Sequence, residues 1–192
     1  MIKKNRKKAW YKVKESKLLN GKVIGELTAF DPQDVIGRHL TLNLMSITDN
    51  PKLQHINLKF LIDSAVNDEL KSSAIGYYFL SSSIKRLVKR GCRRIDDSFI
   101  CKTKEGKSIK VKPFFITKTY TSNLISKKLR KTAKDAIIQM TSRLDFDGLL
   151  SDILNHKFQV DLKKQLNKIY PLKVCEIRFL EIIEKNTSTK KD

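Results

Sequence analysis

Apolar and polar positions alternate with a period of two from Val23 to Thr117, whereas from Ser122 onward apolar residues recur at helical spacing. The first pattern predicts strands. His39-Leu40-Thr41-Leu42-Asn43-Leu44 alternates cleanly, Ile56 to Ile62 does so over most of its length, and Asp49-Asn50-Pro51 between them supplies turn chemistry. Leu70 to Leu80 reads as a further strand whose uniformly apolar tail would equally begin a helix. Ser81-Ser82-Ser83 before Ile84, Leu87 and Val88 predicts a short capped helix, stopped at Gly91. The strongest local signal is a hairpin, Ser98 to Thr103 and Ser108 to Lys112 around the turn Lys104-Glu105-Gly106-Lys107. In its second strand Ile109 and Val111 point one way and Lys110 and Lys112 the other, so one face is core and the opposite face cationic.

Ile125, Leu129, Ala133, Ala136, Ile137, Met140 and Leu144 define the apolar stripe of a helix over 122–144. Two shorter helices follow, with faces Phe146, Leu149, Leu150, Ile153, Leu154 and Phe158, Leu162, Leu166, Ile169. Tyr170-Pro171 ends them and Val174 to Phe179 returns to strand. The chain is thus expected to be α+β in four parts. They are a basic flexible N-terminal arm (1–14), a mainly β domain with one short helix (15–121), a helical region plus a closing strand (122–184), and a polar tail (185–192).

Charge changes the picture from fold to partner. The chain carries 40 Lys and Arg against 20 Asp and Glu, a formal charge of +20. Segments 1–14, 84–112 and 118–134 hold 24 of the 40 basic residues and three acids, while the other 132 residues carry 16 basic and 17 acidic. A merely solvated surface intersperses both signs, so this concentration implies a polyanionic partner, with nucleic acid foremost. The candidate RNA contacts are Lys3, Lys4, Arg6, Lys7, Lys8 and Trp10 in the arm. Lys85, Arg86, Lys89, Arg90, Arg93, Arg94, Lys110 and Lys112 follow in the helix and hairpin, then Lys118, Lys127, Lys128, Arg130, Lys131 and Lys134. The long helix has no acid before Asp135 to pair these cations. Trp10 and Tyr11 can stack on a base or pin the arm to the domain, and packing favours pinning. Charge removal at Arg90, Arg93 and Arg94 is expected to weaken RNA association and flatten its salt dependence.

Other chemistries are excluded by what the sequence lacks. The longest apolar run, Ala74 to Leu80, is far below the roughly 20 residues that span a bilayer, and no apolar segment follows the basic N-terminus as a signal peptide requires. An intracellular chain is expected. Cys92, Cys101 and Cys175 are odd in number and dispersed, as are His39, His55 and His156, so neither a disulfide framework nor a metal site is expected. Asp96 and Asp97, adjacent on a strand, point to opposite faces and cannot readily share an ion. No nucleotide-loop, zinc-protease or nucleophile-elbow motif occurs, which argues against an enzyme, a cofactor or a small-molecule substrate. Nor is there an aromatic RNP-type strand motif, so backbone and shape recognition are expected over base stacking on an open sheet.

Several separated stretches carry a resemblance. They are Trp10-Tyr11 after a Lys-rich lead, Ile24-Gly25-Glu26, Asp31-Pro32, Ile36-Gly37-Arg38 and Gln54 to Phe60. Leu87 to Arg90, Arg94-Ile95-Asp96, Thr103 to Gly106, Val111-Lys112-Pro113, Ile169 to Lys173 and Glu176-Ile177-Arg178 continue the series. In this order and spacing the chain, over about residues 8–182, resembles the small-subunit ribosomal protein family called S-three-a or S-one-e, shared by archaea and eukaryotes. The short C-terminus and the Gln54 to Phe60 stretch look more archaeal than eukaryotic. The resemblance implies an antiparallel β-barrel-like domain flanked by C-terminal helices. It also implies a non-enzymatic, cytoplasmic protein that binds small-subunit rRNA near the platform and messenger exit, beside neighbouring ribosomal proteins, with no membrane partner. Thr117 to Thr121 stand where members commonly carry an Arg-rich run, and Ser81 to Ser83 near a frequent Arg. The rival reading is a basic module docking an acidic protein, an anionic membrane leaflet or other RNA outside the ribosome; nuclease treatment separates a ribosomal protein from a protein-docked one.

Overall fold

Tyr11, Val13 and Glu15 turn inward and Trp10 and Lys12 outward along strand β1 (Ala9–Glu15) of the computed structural model, which describes residues 7–15, 21–66 and 69–183. The chain divides into two units, Met1–Leu80 and Ser81–Asp192.

In the first unit β2 (Val23–Ala29) lies antiparallel to β1. β3 (His39–Asn43) is antiparallel to β4 (Ile56–Val66), and β4 to β5 (Glu69–Phe79). β1 and β5 run parallel, which makes the sheet mixed, in the order β2-β1-β5-β4-β3. Among the described residues β2 pairs only β1 and β3 only β4, so no ladder of hydrogen bonds closes the sheet. The α+β class and the C-terminal helices hold, while the antiparallel, barrel-like sheet implied by the resemblance is corrected to a mixed one that is not closed by hydrogen bonds. Alternation fixes which residues face inward; it carries no information on strand sense or on which edges close. The core of this unit holds Val13, Ile56, Leu58, Phe60, Leu70 and Tyr77, each fully buried.

Several local expectations change for identifiable reasons. The N-terminal arm is strand from Ala9 onward, because Tyr11 and Val13 have a hydrophobic sheet to join; residues 1–6 lie outside the described residues. Leu44 begins helix α1 (Leu44–Thr48) rather than ending a strand, since the Asn43 Oδ1 accepts from the Met45 N–H at 2.9 Å and caps the turn. The apolar tail of 70–80 is strand, and the helix starts at Ser81.

The second unit is built on β8 (Ser108–Thr117). β9 (Leu172–Ile182) runs antiparallel along one side, and β7 (Phe99–Lys102) and β6 (Arg94–Asp96) share the other. β8 alternates from Ser108 to Lys112 and is then buried on both faces from Pro113 to Thr117. The change coincides with a register shift against β9 at Lys112/Pro113, where proline brings no N–H to the ladder. Helix α2 (Ser81–Leu87) precedes this sheet. α3 (Asn123–Thr141) packs on β7, and α5 (Lys157–Asn167) packs on β9, α3 and α4 (Phe146–Leu154). α3 starts where Ser122 Oγ accepts from the Ile125 N–H at 3.4 Å. Its stripe buries Leu129, Ala133, Ala136 and Ile137. Burying a leucine or phenylalanine of this kind contributes about 1.5–3 kcal/mol, so Leu129 and Ile137 fix which side of α3 faces solvent.

Candidate nucleic-acid interface

Once Leu129, Ala133, Ala136 and Ile137 are buried, helical spacing leaves Lys127, Lys128, Arg130, Lys131 and Lys134 on the solvent side, and all five are exposed. No acidic residue lies in the first turn of α3 or before Asp135. Lys127–Lys131 and Arg130–Lys134 are like-charge pairs at i, i+4, each destabilising the helix by about 0.2–0.5 kcal/mol. A helix that stabilised itself electrostatically would alternate the signs; this one carries a repulsion that an anionic surface relieves. On α2 the buried Ile84 turns Lys85 and Arg86 outward, and Lys89 and Arg90 are exposed just beyond. Gly91, at φ 78°, makes the turn that a side chain would strain.

Arg93 and Arg94 are different. The Arg93 Nη1 donates to the Thr121 carbonyl at 2.6 Å, its Nη2 donates to the Asn123 Oδ1, and its Cζ lies 5.5 Å from the centroid of the Tyr120 ring. Arg94 Nη2 donates to Asp96 Oδ1 at 3.0 Å, and its Nε lies 2.7 Å from Asp96 Oδ2. Both guanidinium groups are thus engaged by the protein itself. Asp97 Oδ1 accepts from the Ser98 N–H at 2.8 Å. Among the described residues no cluster of three His, Cys, Asp or Glu is placed to hold a metal.

Lys110 and Lys112 are half-buried on β8. Lys112 Nζ sits 4.4 Å from the Phe179 ring centroid, and Lys110 lies opposite the exposed Ile100 and Glu181. Phe99 and Val111 pair across the strands on the other face, and there Lys134 of α3 reaches within 6.0 Å of the Phe99 ring. The α3 cations and the Lys110–Lys112 row therefore lie on opposite sides of this sheet. Lys118 is exposed after β8, its carbonyl accepting from the Cys92 thiol at 3.5 Å. Lys7, Lys8 and Trp10 are exposed in the first unit, whereas Lys3, Lys4 and Arg6 lie outside the described residues. Tyr11 is buried and does pin β1; Trp10, at 70% exposure, does not.

Four aromatic groups beside cations were not marked by composition: Phe30 near Lys8, Tyr120 under Arg93, Phe179 under Lys112 and Phe99 near Lys134. Each pairing depends on strand register, on a loop path or on how a helix packs, none of which composition carries.

No described helix is long and apolar enough to cross a membrane. A family model described as the Ribosomal S3Ae family matches residues 2–186. The chain is 32% identical over 177 residues to small ribosomal subunit protein eS1 of Methanothrix thermoacetophila, covering 92% of this chain and 83% of the relative. It is 31% identical over 183 residues to the eS1 protein of Nanoarchaeum equitans, covering 94% and 92%. With that of Methanothermobacter thermautotrophicus it shares 29% over 179 residues, covering 93% and 92%. With the match running through nearly the whole sequence, the chain belongs to the Ribosomal S3Ae family, in its archaeal type.

Proposed function

We propose that this protein is a structural, non-catalytic constituent of the small ribosomal subunit, binding rRNA phosphates near the platform and messenger exit and supporting translation in the cytoplasm. The observation that carries the reading is the solvent face of α3, where five exposed cations stand with no acid before Asp135. An extended polyanion neutralises such a face and releases condensed counterions, the main source of sequence-independent affinity. The relatives' name, small ribosomal subunit protein eS1, supplies the assembly in which that polyanion is rRNA.

Within this role Lys85, Arg86, Lys89, Arg90, Lys118 and the α3 cations serve as phosphate contacts, joined by Lys110 and Lys112 on the opposite sheet face and by Lys7 and Lys8 in the first unit. Arg93 and Arg94 act indirectly, by holding the segments that carry their neighbours. Specificity then follows from RNA shape, since phosphate contacts position a protein without reading bases. Neighbouring ribosomal proteins are the remaining partners.

Sucrose-gradient sedimentation of native lysate tests this directly. The chain is expected to travel with small subunits and to leave that fraction after nuclease digestion. Sedimentation in a complex that survives complete RNA digestion would instead favour docking on an acidic protein.

A further inference from the structure

Trp10 is the one tryptophan of the chain and is 70% exposed, although it sits inside a strand whose neighbouring Tyr11 and Val13 are buried. An indole in that position contributes nothing to the core. The β1–β2 register explains what lies beside it. Trp10 is paired with Thr28, so the two share a face, and alternation brings Phe30, two residues on, to the same side. Phe30 is itself 47% exposed, and the Lys8 ammonium lies 5.4 Å from its ring centroid, which places that ring on the face of Lys8 and Trp10. Lys12 follows on the same face, in register with Glu26 of β2 on one side and Glu69 of β5 on the other, and Lys14 beyond it pairs with Glu69 at 2.6 Å. One open face of β1 thus begins with a cation and an aromatic, with a second aromatic on the diagonal, before charges of both signs meet at Lys12 and Lys14. Among the described residues of this unit, β2 beside it pairs only with β1.

We infer that Trp10 and Phe30 form a stacking platform for unpaired bases of a single-stranded RNA segment, with Lys8 on the adjoining phosphate. The inference rests on the RNA-binding reading above and adds to it a kind of RNA and a mode of contact. Bases in a duplex are stacked on one another and offer no face to an indole, so an aromatic pair flanked by cations fits unpaired nucleotides. An acidic peptide would satisfy Lys8 but its carboxylates offer no π faces for two exposed rings.

The single tryptophan gives a direct readout, because intrinsic indole emission reports Trp10 alone. Titrating the full chain with an unpaired oligoadenylate of about ten nucleotides is expected to quench that emission, and Phe30→Ala to weaken the apparent affinity roughly ten-fold. Trp10→Ala, followed by filter binding, is expected to lose a similar factor and Trp10→Phe to recover part of it, with the melting temperature unchanged in both. Absence of quenching by the oligonucleotide while structured small-subunit rRNA still binds would overturn the platform and leave the RNA-binding reading standing. Failure of both RNAs to bind would remove that reading together with this one. Equal quenching by an oligoglutamate at the same ionic strength would overturn the assignment in favour of a protein partner.

Discussion

The Arg93 guanidinium donates to the Thr121 carbonyl oxygen at 2.6 Å, tying the end of the loop after β8 to the strand entry before β6. With its second hydrogen bond to Asn123 and the Tyr120 ring beside it, Arg93 organises the start of α3 rather than presenting a free cation. Arg93→Ala is therefore expected to lower stability by about 1–2 kcal/mol, the lower range for hydrogen bonds to a charged group that remains half-exposed. Arg90→Ala, on an exposed turn, is expected to melt like the parent yet bind RNA less tightly with a shallower salt dependence. Thermal melts and filter binding on the two single variants separate the roles, and an Arg93→Ala protein as stable as the parent would contradict the structural assignment.

Thr117 serves the same junction from below. Its buried Oγ1 accepts from the Arg93 N–H at 3.0 Å and lies 2.6 Å from the Thr119 carbonyl. Thr117→Val keeps the shape and leaves that N–H without its acceptor, a loss of about 1–3 kcal/mol. Thr117→Ser restores the acceptor and is expected to recover most of it. The denaturation midpoint should fall for valine with the slope unchanged.

Neutralising Lys127, Lys128 and Lys131 to glutamine should move two observables in opposite directions. Removing like-charge neighbours raises helix stability by a few tenths of a kcal/mol, while the slope of log affinity against log salt falls by about 0.7–0.9 for each phosphate that is no longer neutralised. A melt and a salt titration on the same triple variant check both. Loss of stability alongside unchanged RNA affinity would mean that the cations serve the fold.

Glu176, on β9, has its Oε1 3.8 Å from His156 Nδ1, and its side chain is largely buried. Burial pushes its carboxyl above the ordinary carboxylate range, opposed by His156, the Gln159 side chain and Lys163. The folded chain then holds this proton more tightly than the unfolded chain does. Its favourable contribution is complete below the ordinary range, about pH 4, and is lost as pH rises through the raised folded value. Glu176→Gln is accordingly expected to be more stable than the parent at neutral pH, by a margin that shrinks toward pH 4. Melting curves across that range decide it; a variant less stable at neutral pH would show that attraction to His156 and Lys163 outweighs burial.

The elements that sequence reasoning located were those whose signal is local. α3 is legible from its apolar stripe and from Ser122 before it, and the β7–β8 hairpin from the turn at Lys104 to Lys107. Strand neighbours were not legible. β1 lies parallel to β5 across three intervening strands, and period-two patterning is blind to such a crossover. At the candidate site, counting charges found the α3 and α2 cations but could not see that Asp96 and the Thr121 carbonyl already hold Arg94 and Arg93. Adjacent residues on a strand face opposite ways, so once Tyr11 pins β1, Trp10 cannot pin it too.

Ultraviolet crosslinking of intact small subunits, with the crosslinked peptides identified after nuclease digestion, tests the central claim most directly. Nucleotide remnants are expected on the peptides carrying Lys85 to Arg90 and Lys127 to Lys134. Remnants confined to peptides outside these cationic faces, or none on this chain within purified subunits, would contradict the account.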